Sequence, residues 1–407
     1  MDVSHNMTTD NSEKNVRPKI MFMNHTSQLG GAELSLYDLI TNLPVNSILL
    51  TMEAGPLITK LVSANIEIHV LEEGHTLTAP GYKISFLQRI IELYRLPKII
   101  VRLIRLAKEN DLIYANSKKI LFLAILTAAL AKKPLIWHQR DPILNFSHIN
   151  LREKLSESLI IWLLNRYAKK IISVSRATTN TFVAAGGKKD LSITVYNGMD
   201  PGKLKDLKSS EKTRVAIGLP TQNILVGNFG RLTPWKGQKT VIEALQFLDS
   251  NIHCVFVGAS LFNENNYATH LKELTHKLGL ADRVHFIGFR NNAIEIMWAM
   301  DIVVHSSTEF DPCPRVIMEA LFSQTPLIAT NVGGVPELIL NKISGLLIEP
   351  GNPQKMAEAI QAIVTNKPLA NKLSRNGYEL ALKKYQLRTV IDKVNSEINK
   401  TLTNYYK

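Results

Sequence analysis

Cysteine is nearly absent from this chain, with Cys254 and Cys313 the two among 407 residues. A disulfide framework is thereby excluded as the basis of the fold, and a reducing compartment is the natural home. Long apolar runs are missing as well. The longest, 120–131, is too short to span a bilayer and is stopped by Lys132 and Lys133. Residues 1–18 are polar, rich in Asn, Ser and Thr, and lack the apolar centre of a signal peptide, so they read as a disordered tail. A cytoplasmic location is expected, with peripheral contact at the inner face of the cytoplasmic membrane left open. Acids are scarce beside bases: 35 Asp and Glu stand against 48 Lys and Arg, a net +13. That balance suits phosphates, nucleic acid or an acidic membrane surface. Nucleic acid is the weaker use, because no binding module or aromatic-interleaved basic strand is present.

Two further absences bear on chemistry. There is no Asp-x-Asp, and no His or Cys pair has metal-ligand spacing, so no metal and no cofactor are expected. A departing diphosphate would then be neutralised by protein cations. The full G-x-G-x-x-G is also missing, which disfavours a nicotinamide oxidoreductase.

What is present is an α/β pattern. The length suits two domains, and 45% hydrophobic with 20% charged residues is a globular composition. Strand-like runs at 19–24, 47–51, 67–71, 111–115, 134–138, 170–174 and 193–196 alternate with helical patterns at 33–43, 56–64 and 152–168. Such alternation predicts a parallel, doubly wound sheet. Turn formers crowd 196–202 and a Lys/Ser-rich segment follows to Lys212, which places a boundary near 202. A second series has strands from Ile224 and at 253–257, 284–287, 302–305, 327–330 and 345–348, and from Pro353 the pattern is helical. The expected division is 19–202, 203–385, and a C-terminal helix at 386–407 that packs back on the first domain.

Four stretches are candidates for chemistry. The segment at 306–319 joins a strand to a helix and carries Asp311 and Glu319, two acids able to accept from sugar or ribose hydroxyls in the crevice beyond a sheet's carboxyl edge. A plain helix-start acid and a solvated helix face are the alternatives. GRLTPWKG at 230–237 sets Arg231 and Lys236 beside a helix start, a fit for a diphosphate, against the alternative of solvated cations flanking turn glycines. Gly30 and Gly31 in HTSQLGGA would let backbone N–H groups approach a phosphate, or would simply make a tight turn. His138, within WHQRD, ends a strand and is either structural or a ligand contact.

These motifs together resemble the retaining glycosyltransferases of the group 1, GT-B type. The likeness runs through GRLTPWKG (230–237), VHFIGF (284–289), MDIVVHSS (300–307), PRVIMEAL (314–321), TNVGGVPELI (330–339) and SGLLIEPG (344–351). It continues more loosely through LGGAE (29–33), His138, SVS (173–175) and YNGMD (196–200), nearly the whole chain. The resemblance implies two Rossmann-like domains facing across a cleft, with the acceptor on the first and a UDP- or GDP-sugar on the second. It implies Arg231 and Lys236 at the donor diphosphate, Glu319 at the ribose, His138 at the donor sugar, and the Gly333-Gly334 loop with Glu337 near the donor. Asp311 stands where the family has the first Glu of E-x7-E. The shorter side chain leaves its sugar contact to be kept, shifted, or made by Glu309. Pro314 replaces a frequent Gly and has no N–H, so Cys313 and Arg315 would supply the neighbouring backbone donors. A nucleophilic Cys313 is not indicated, since no base is paired with it.

The helical region 83–108 carries Lys83, Arg89, Arg95, Lys98, Arg102 and Arg105 among apolar residues. It is read either as a basic amphipathic helix on an anionic leaflet, near a lipid-linked or cell-envelope glycan acceptor, or as a sheet-covering helix with a solvated face. The expected activity is metal-independent, retaining hexosyl transfer. Its rivals are a non-catalytic sugar-nucleotide-binding relative and another twin-Rossmann enzyme, such as a nucleotide-sugar epimerase or a phosphorylase.

Overall fold

The structure is a computed structural model that describes residues 17–72, 86–143, 151–204, 209–260 and 265–407. Most of the expected tail and Lys83 lie outside the described residues. The first domain runs β1 (Lys19–Asn24), α1 (Gly31–Asn42), β2 (Asn46–Thr51), α2 (Pro56–Val62), β3 (Glu67–Val70), α3 (Phe86–Lys108), β4 (Leu112–Ala115), α4 (Leu121–Ala131), β5 (Leu135–Gln139), α5 (Leu151–Tyr167), β6 (Ala168–Ser173), α6 (Arg176–Ala184) and β7 (Ser192–Thr194). Its strands pair in the order β3-β2-β1-β4-β5-β6-β7, all parallel. Side chains alternate across the sheet as the two-residue period requires. Met21 and Met23 face α3 and α4, whereas Ile20 and Phe22 face α1 and the C-terminal helix.

The second domain runs α7 (Ser210–Ala216), β8 (Ile224–Phe229), α8 (Gln238–Ala244), β9 (Ile252–Val257), α9 (Asn265–Lys277), β10 (Val284–Phe286), α10 (Ala293–Trp298), β11 (Ile302–His305), α11 (Arg315–Phe322), β12 (Leu327–Thr330), α12 (Val335–Leu338), β13 (Leu346–Ile348), α13 (Pro353–Thr365), α14 (Lys367–Lys384) and α15 (Leu387–Tyr406). The order β10-β9-β8-β11-β12-β13 is again parallel. In each sheet the order reverses beside the first strand, between β1 and β4 and between β8 and β11. Crevices that receive ligands form at such switch points, outside the carboxyl ends of the strands.

The chain crosses back after α14. Met199 N donates to the Tyr385 carbonyl (2.8 Å) and Leu387 N to the Met199 carbonyl (2.9 Å), so the start of α15 lies alongside the end of the first domain. Gly198 makes this approach possible, since a Cβ there would lie 2.7 Å from Val390 Cγ2. From that anchor α15 buries Val390, Ile391, Val394 and Ile398 in the first domain's core. Ile398→Ala is expected to destabilise the first domain by roughly 2–5 kcal/mol, the usual cost of emptying a buried aliphatic site. The exposed neighbour Asn399→Ala should stay within about 0.5 kcal/mol. Urea unfolding of both variants decides; equal midpoints would show that α15 contributes no packing there.

Candidate active site

The carboxyl ends of β8 and β11 carry their loops side by side. Gly237 has φ +68°, and a Cβ on it would lie 1.9 Å from the Ser306 carbonyl oxygen, so only glycine admits this seam. Ser306 Oγ donates to the Lys236 carbonyl (2.8 Å), and Thr308 N to the Trp235 carbonyl (2.8 Å). The seam delivers Lys236 Nζ to Asp311 Oδ2 at 2.6 Å, over the Trp235 ring at 4.2 Å. Asp311 also accepts from His305 Nε2 and Ser307 Oγ, each at 2.9 Å. Burial alone would raise the Asp311 carboxyl, but the Lys236 charge and the His305 bond outweigh it and hold the group below the ordinary carboxylate range. Burial pushes His305 down against the pull of Asp311, which keeps the ring neutral.

Behind this cluster, Gly334 N donates to the Asp311 carbonyl (2.9 Å). A Cβ on Gly334 would lie 2.0 Å from the Pro312 carbonyl oxygen and 2.8 Å from Ser175 Oγ. The Gly333-Gly334 pair thus wedges the Asp311 loop against the first domain. Glu337 reaches the start of α6, where it accepts from Arg176 N (2.8 Å), Ala177 N (2.6 Å) and Tyr196 OH (3.0 Å). An acid at a helix N-terminus meets unpaired N–H groups and the positive end of the helix dipole. Arg315 crosses in the same way. Its NH1 donates to Asp38 Oδ2 (2.8 Å) and Ser35 Oγ (3.1 Å) of α1, while Nε lies 3.5 Å from Glu319 Oε1. The Gly30-Gly31 turn abuts this side chain, with 3.8 Å between a Cβ on Gly31 and Arg315 Cδ.

In the first domain His138 is next to last in β5 and buried. Tyr114 OH lies 2.7 Å and Arg140 NH2 3.4 Å from its Nδ1, and Nε2 has no partner. Two donors aimed at Nδ1 make it the acceptor, so the ring proton sits on Nε2. Burial, then the Arg140 charge, push His138 well below its ordinary value, so it stays neutral. Burial raises the Cys313 thiol to about 12, too high for a thiolate nucleophile. Its carbonyl accepts from Asn197 Nδ2 (3.0 Å), a third contact between the domains.

Of the residues expected from the sequence, Lys236 and Asp311 meet directly, as do Arg315, Glu319 and Gly31, while Arg231 lies partly exposed on the β8 loop. Glu309 is exposed, and Glu337 is engaged with α6. Sequence reasoning passed over His305, Ser307, Asp38, Tyr114, Arg140 and Asn197. Except for Asp38, which lies within α1, their shared signal is a polar residue placed at or just beyond an apolar strand run.

Comparison with known proteins places this geometry in a family. Residues 209–380 match the model for glycosyl transferases group 1. The Anabaena HepE structure in complex with UDP-glucose superposes with a TM-score of 0.82 and 31% identity, covering 95% of this chain and 100% of that one. The chain belongs to the group 1 glycosyltransferases. The uncharacterized glycosyltransferase MJ1607 of Methanocaldococcus jannaschii is 27% identical over 202 residues, 48% of this chain and 51% of its own. The putative glycosyltransferase YtcC of Bacillus subtilis is 30% identical over 203 residues, 46% and 49%. The chain thus spans about half the length of these curated relatives. The fold is GT-B, and among the described residues no group of three or more His, Cys, Asp or Glu could hold a metal ion.

In this glycosyltransferase, removing Lys236 would strand Asp311. Lys236→Met is expected to cost about 3–5 kcal/mol, as for other broken buried ion pairs. Lys236→Met with Asp311→Asn should recover most of that loss. A denaturation double-mutant cycle measures it, and additive losses would show that the two groups are not coupled.

Proposed function

We propose that this chain transfers a hexose from a nucleoside diphosphate sugar, linked to UDP or GDP, to an acceptor, with retention of anomeric configuration and without a metal ion. The observation that carries this reading is the Lys236–Asp311 pair, fixed at the carboxyl ends of β8 and β11, with Arg231 on the same loop after β8. The full-length likeness to HepE, which was crystallised with UDP and with UDP-glucose, supports a nucleotide-sugar donor. Retention rests on the family resemblance. Arg231 and Lys236 take up the diphosphate as its bond to the sugar breaks, so negative charge develops against cations already in place. Lys236 does this from a position held by Asp311, and Arg315 and the backbone around Cys313 lie alongside. Glu319 receives ribose hydroxyls. Neutral His138 offers its Nε2–H to the donor sugar. The Gly30-Gly31 turn and the Gly334–Glu337 loop close on the donor, excluding water that would hydrolyse it.

Thermal unfolding in the presence of a chelator tests the donor site. A nucleoside diphosphate at a hundredfold its dissociation constant should stabilise the native state by about 2.7 kcal/mol. UDP or GDP is expected to raise the midpoint of the wild type. It should not raise that of the Arg231→Ala, Lys236→Ala double variant, each compared with its own ligand-free midpoint. No shift in the wild type, with or without added divalent metal, would sink the donor assignment.

The acceptor side is proposed to rest on an anionic lipid surface. No described helix is long and apolar enough to cross a membrane. The layer α3–α4–α5, however, turns an apolar and basic face outward. On α3, Ile99, Leu103 and Ala107 go to the core while Lys98, Val101, Arg102 and Arg105 face solvent. On α4, Phe122 and Leu130 are exposed between Lys119 and Lys132. On α5, Leu155 (63% exposed), Leu159 and Trp162 (60%) form a stripe at helical spacing. A second copy docked on this face would set cations against cations, whereas an anionic leaflet supplies both apolar depth and counter-charge. Co-sedimentation with vesicles is expected for phosphatidylglycerol-containing and not for pure phosphatidylcholine membranes, and to be lost in Leu159→Ser, Trp162→Ser. Equal binding to both lipids, or no change in the variant, would refute the assignment.

A further inference from the structure

Arg140 follows β5 directly, is 7% exposed, and has no carboxylate oxygen of the described residues within 4.0 Å. Its three bonds go to neutral groups: Nε to Asn116 Oδ1 (2.9 Å), NH1 to Asn197 Oδ1 (2.8 Å) and NH2 to His138 Nδ1 (3.4 Å). A guanidinium has five N–H donors, so two are left over. The acids nearby are occupied elsewhere. Glu33 accepts from Asn24 Nδ2 (3.3 Å), is itself raised by burial and acts on Arg140 only from beyond ion-pair distance, and Asp141 faces the charges of Lys118 and Lys119 ahead of that of Arg140. Across the cleft, Arg315 adds like charge while satisfied by Asp38 and Glu319.

A buried cation whose acids all lie beyond ion-pair distance is costly unless something supplies a closer counter-charge. Here its burial is deliberate in construction. Asn116 is in turn held by Asn24, to whose Oδ1 it donates at 3.2 Å, and Asn197 is tied to the Cys313 carbonyl on the donor loop. The unpartnered His138 Nε2–H stands on the same strand end. His138 and Arg140 line one small cavity with Ser35, Asp38, Tyr196 and Asn197 at the domain junction.

We propose that Arg140 is an anion-binding residue of this site, held by Asn116 and Asn197 to receive an anionic oxygen of the phosphate or carboxylate class. Two sources fit that chemistry: the β-phosphate of the nucleoside diphosphate, and an anionic group on the acceptor. The first rests on the donor reading above; the need for an anion does not.

Calorimetric titration of the full chain separates these sources, using wild type, Arg140→Gln and Arg140→Lys. The ligands are UDP and UMP (or GDP and GMP, whichever the wild type binds) and inorganic phosphate, added both without nucleotide and at saturating nucleoside diphosphate. If the β-phosphate is the partner, Arg140→Gln raises the dissociation constant of the diphosphate at least tenfold and leaves that of the monophosphate unchanged. If the acceptor carries the anion, both nucleotides bind as before, but phosphate binding to the nucleotide complex is lost in Arg140→Gln and weakened in Arg140→Lys. Identical binding of all these ligands by wild type and a folded Arg140→Gln overturns the proposal. Should Arg140→Gln fail to fold, Arg140→Lys decides: it keeps the charge but cannot hold both asparagines, and unchanged affinities for diphosphate and phosphate overturn the proposal equally. A wild type that binds no nucleotide sinks the donor reading alone. Phosphate without nucleotide then still tests Arg140, with binding by wild type and not by Arg140→Gln in its favour, and binding by neither, or by both alike, against it.

Discussion

The second domain's site depends on keeping one ammonium and one carboxylate charged in a place that water barely reaches. Removing both ions from water is expensive, and their attraction repays it only when the remaining lone pairs and protons are satisfied. The chain meets that condition with short-range parts. Ser307 and His305 take the free lone pairs of Asp311, the Trp235 ring faces Lys236, and two glycine contacts hold the loops at a distance any Cβ would prevent. An apolar pair of similar volume would be at least as stable. The charged arrangement makes sense as a preorganised cation, whose orientation is fixed before any ligand arrives.

The domains are joined by two kinds of contact with different responses to opening. α15 packs its apolar face into the core of the first domain, so it is a permanent tether. The contacts across the cleft include polar ones, Arg315 to Asp38 and Ser35, Asn197 to the Cys313 carbonyl, and Glu337 to the start of α6, beside a small apolar patch where Val174 and Tyr196 pack into the second domain's core. Polar pairs that can exchange for water contribute little net stability each, about 1 kcal/mol. Separation along such a surface costs far less than unpacking an apolar one. A cleft that must admit a large charged ligand is suited by latches of this kind around a tether of the other kind.

The fold was legible because it is periodic. β11 and α11 fall at the residues the apolar pattern marks, and the parallel order follows from strand and helix alternation. Ends were less legible: α1 begins at Gly31, inside the turn expected to precede it, because extended Gly30 starts the helix early. Partners were the least legible. Lys236 and Asp311 are 75 residues apart, and Glu337 meets an N–H 160 residues away. No local rule pairs such groups; only the two sheets, once folded, bring their carboxyl edges together. The glycines carry the same lesson. Gly237 and Gly334 stand in stretches read as a diphosphate site and a donor-side loop, yet each is first required by a carbonyl of the neighbouring loop.

Charge balance then separates the cations of the cleft by role. Lys236 comes with Asp311, and Arg315 with Asp38 and Glu319, so both are neutralised within the folded chain. A cation matched in this way can be oriented without penalty and can share its charge with an incoming anion at modest gain, since its own acid competes. Arg140 comes with neutral amides. Amide oxygens orient a guanidinium as well as carboxylates do, but they leave its full charge facing the cavity. Of the described cations with buried heads at the domain junction, Arg140 is therefore the one whose interaction with an anion would be least diluted, and it stands beside the one imidazole N–H there that has nothing to donate to.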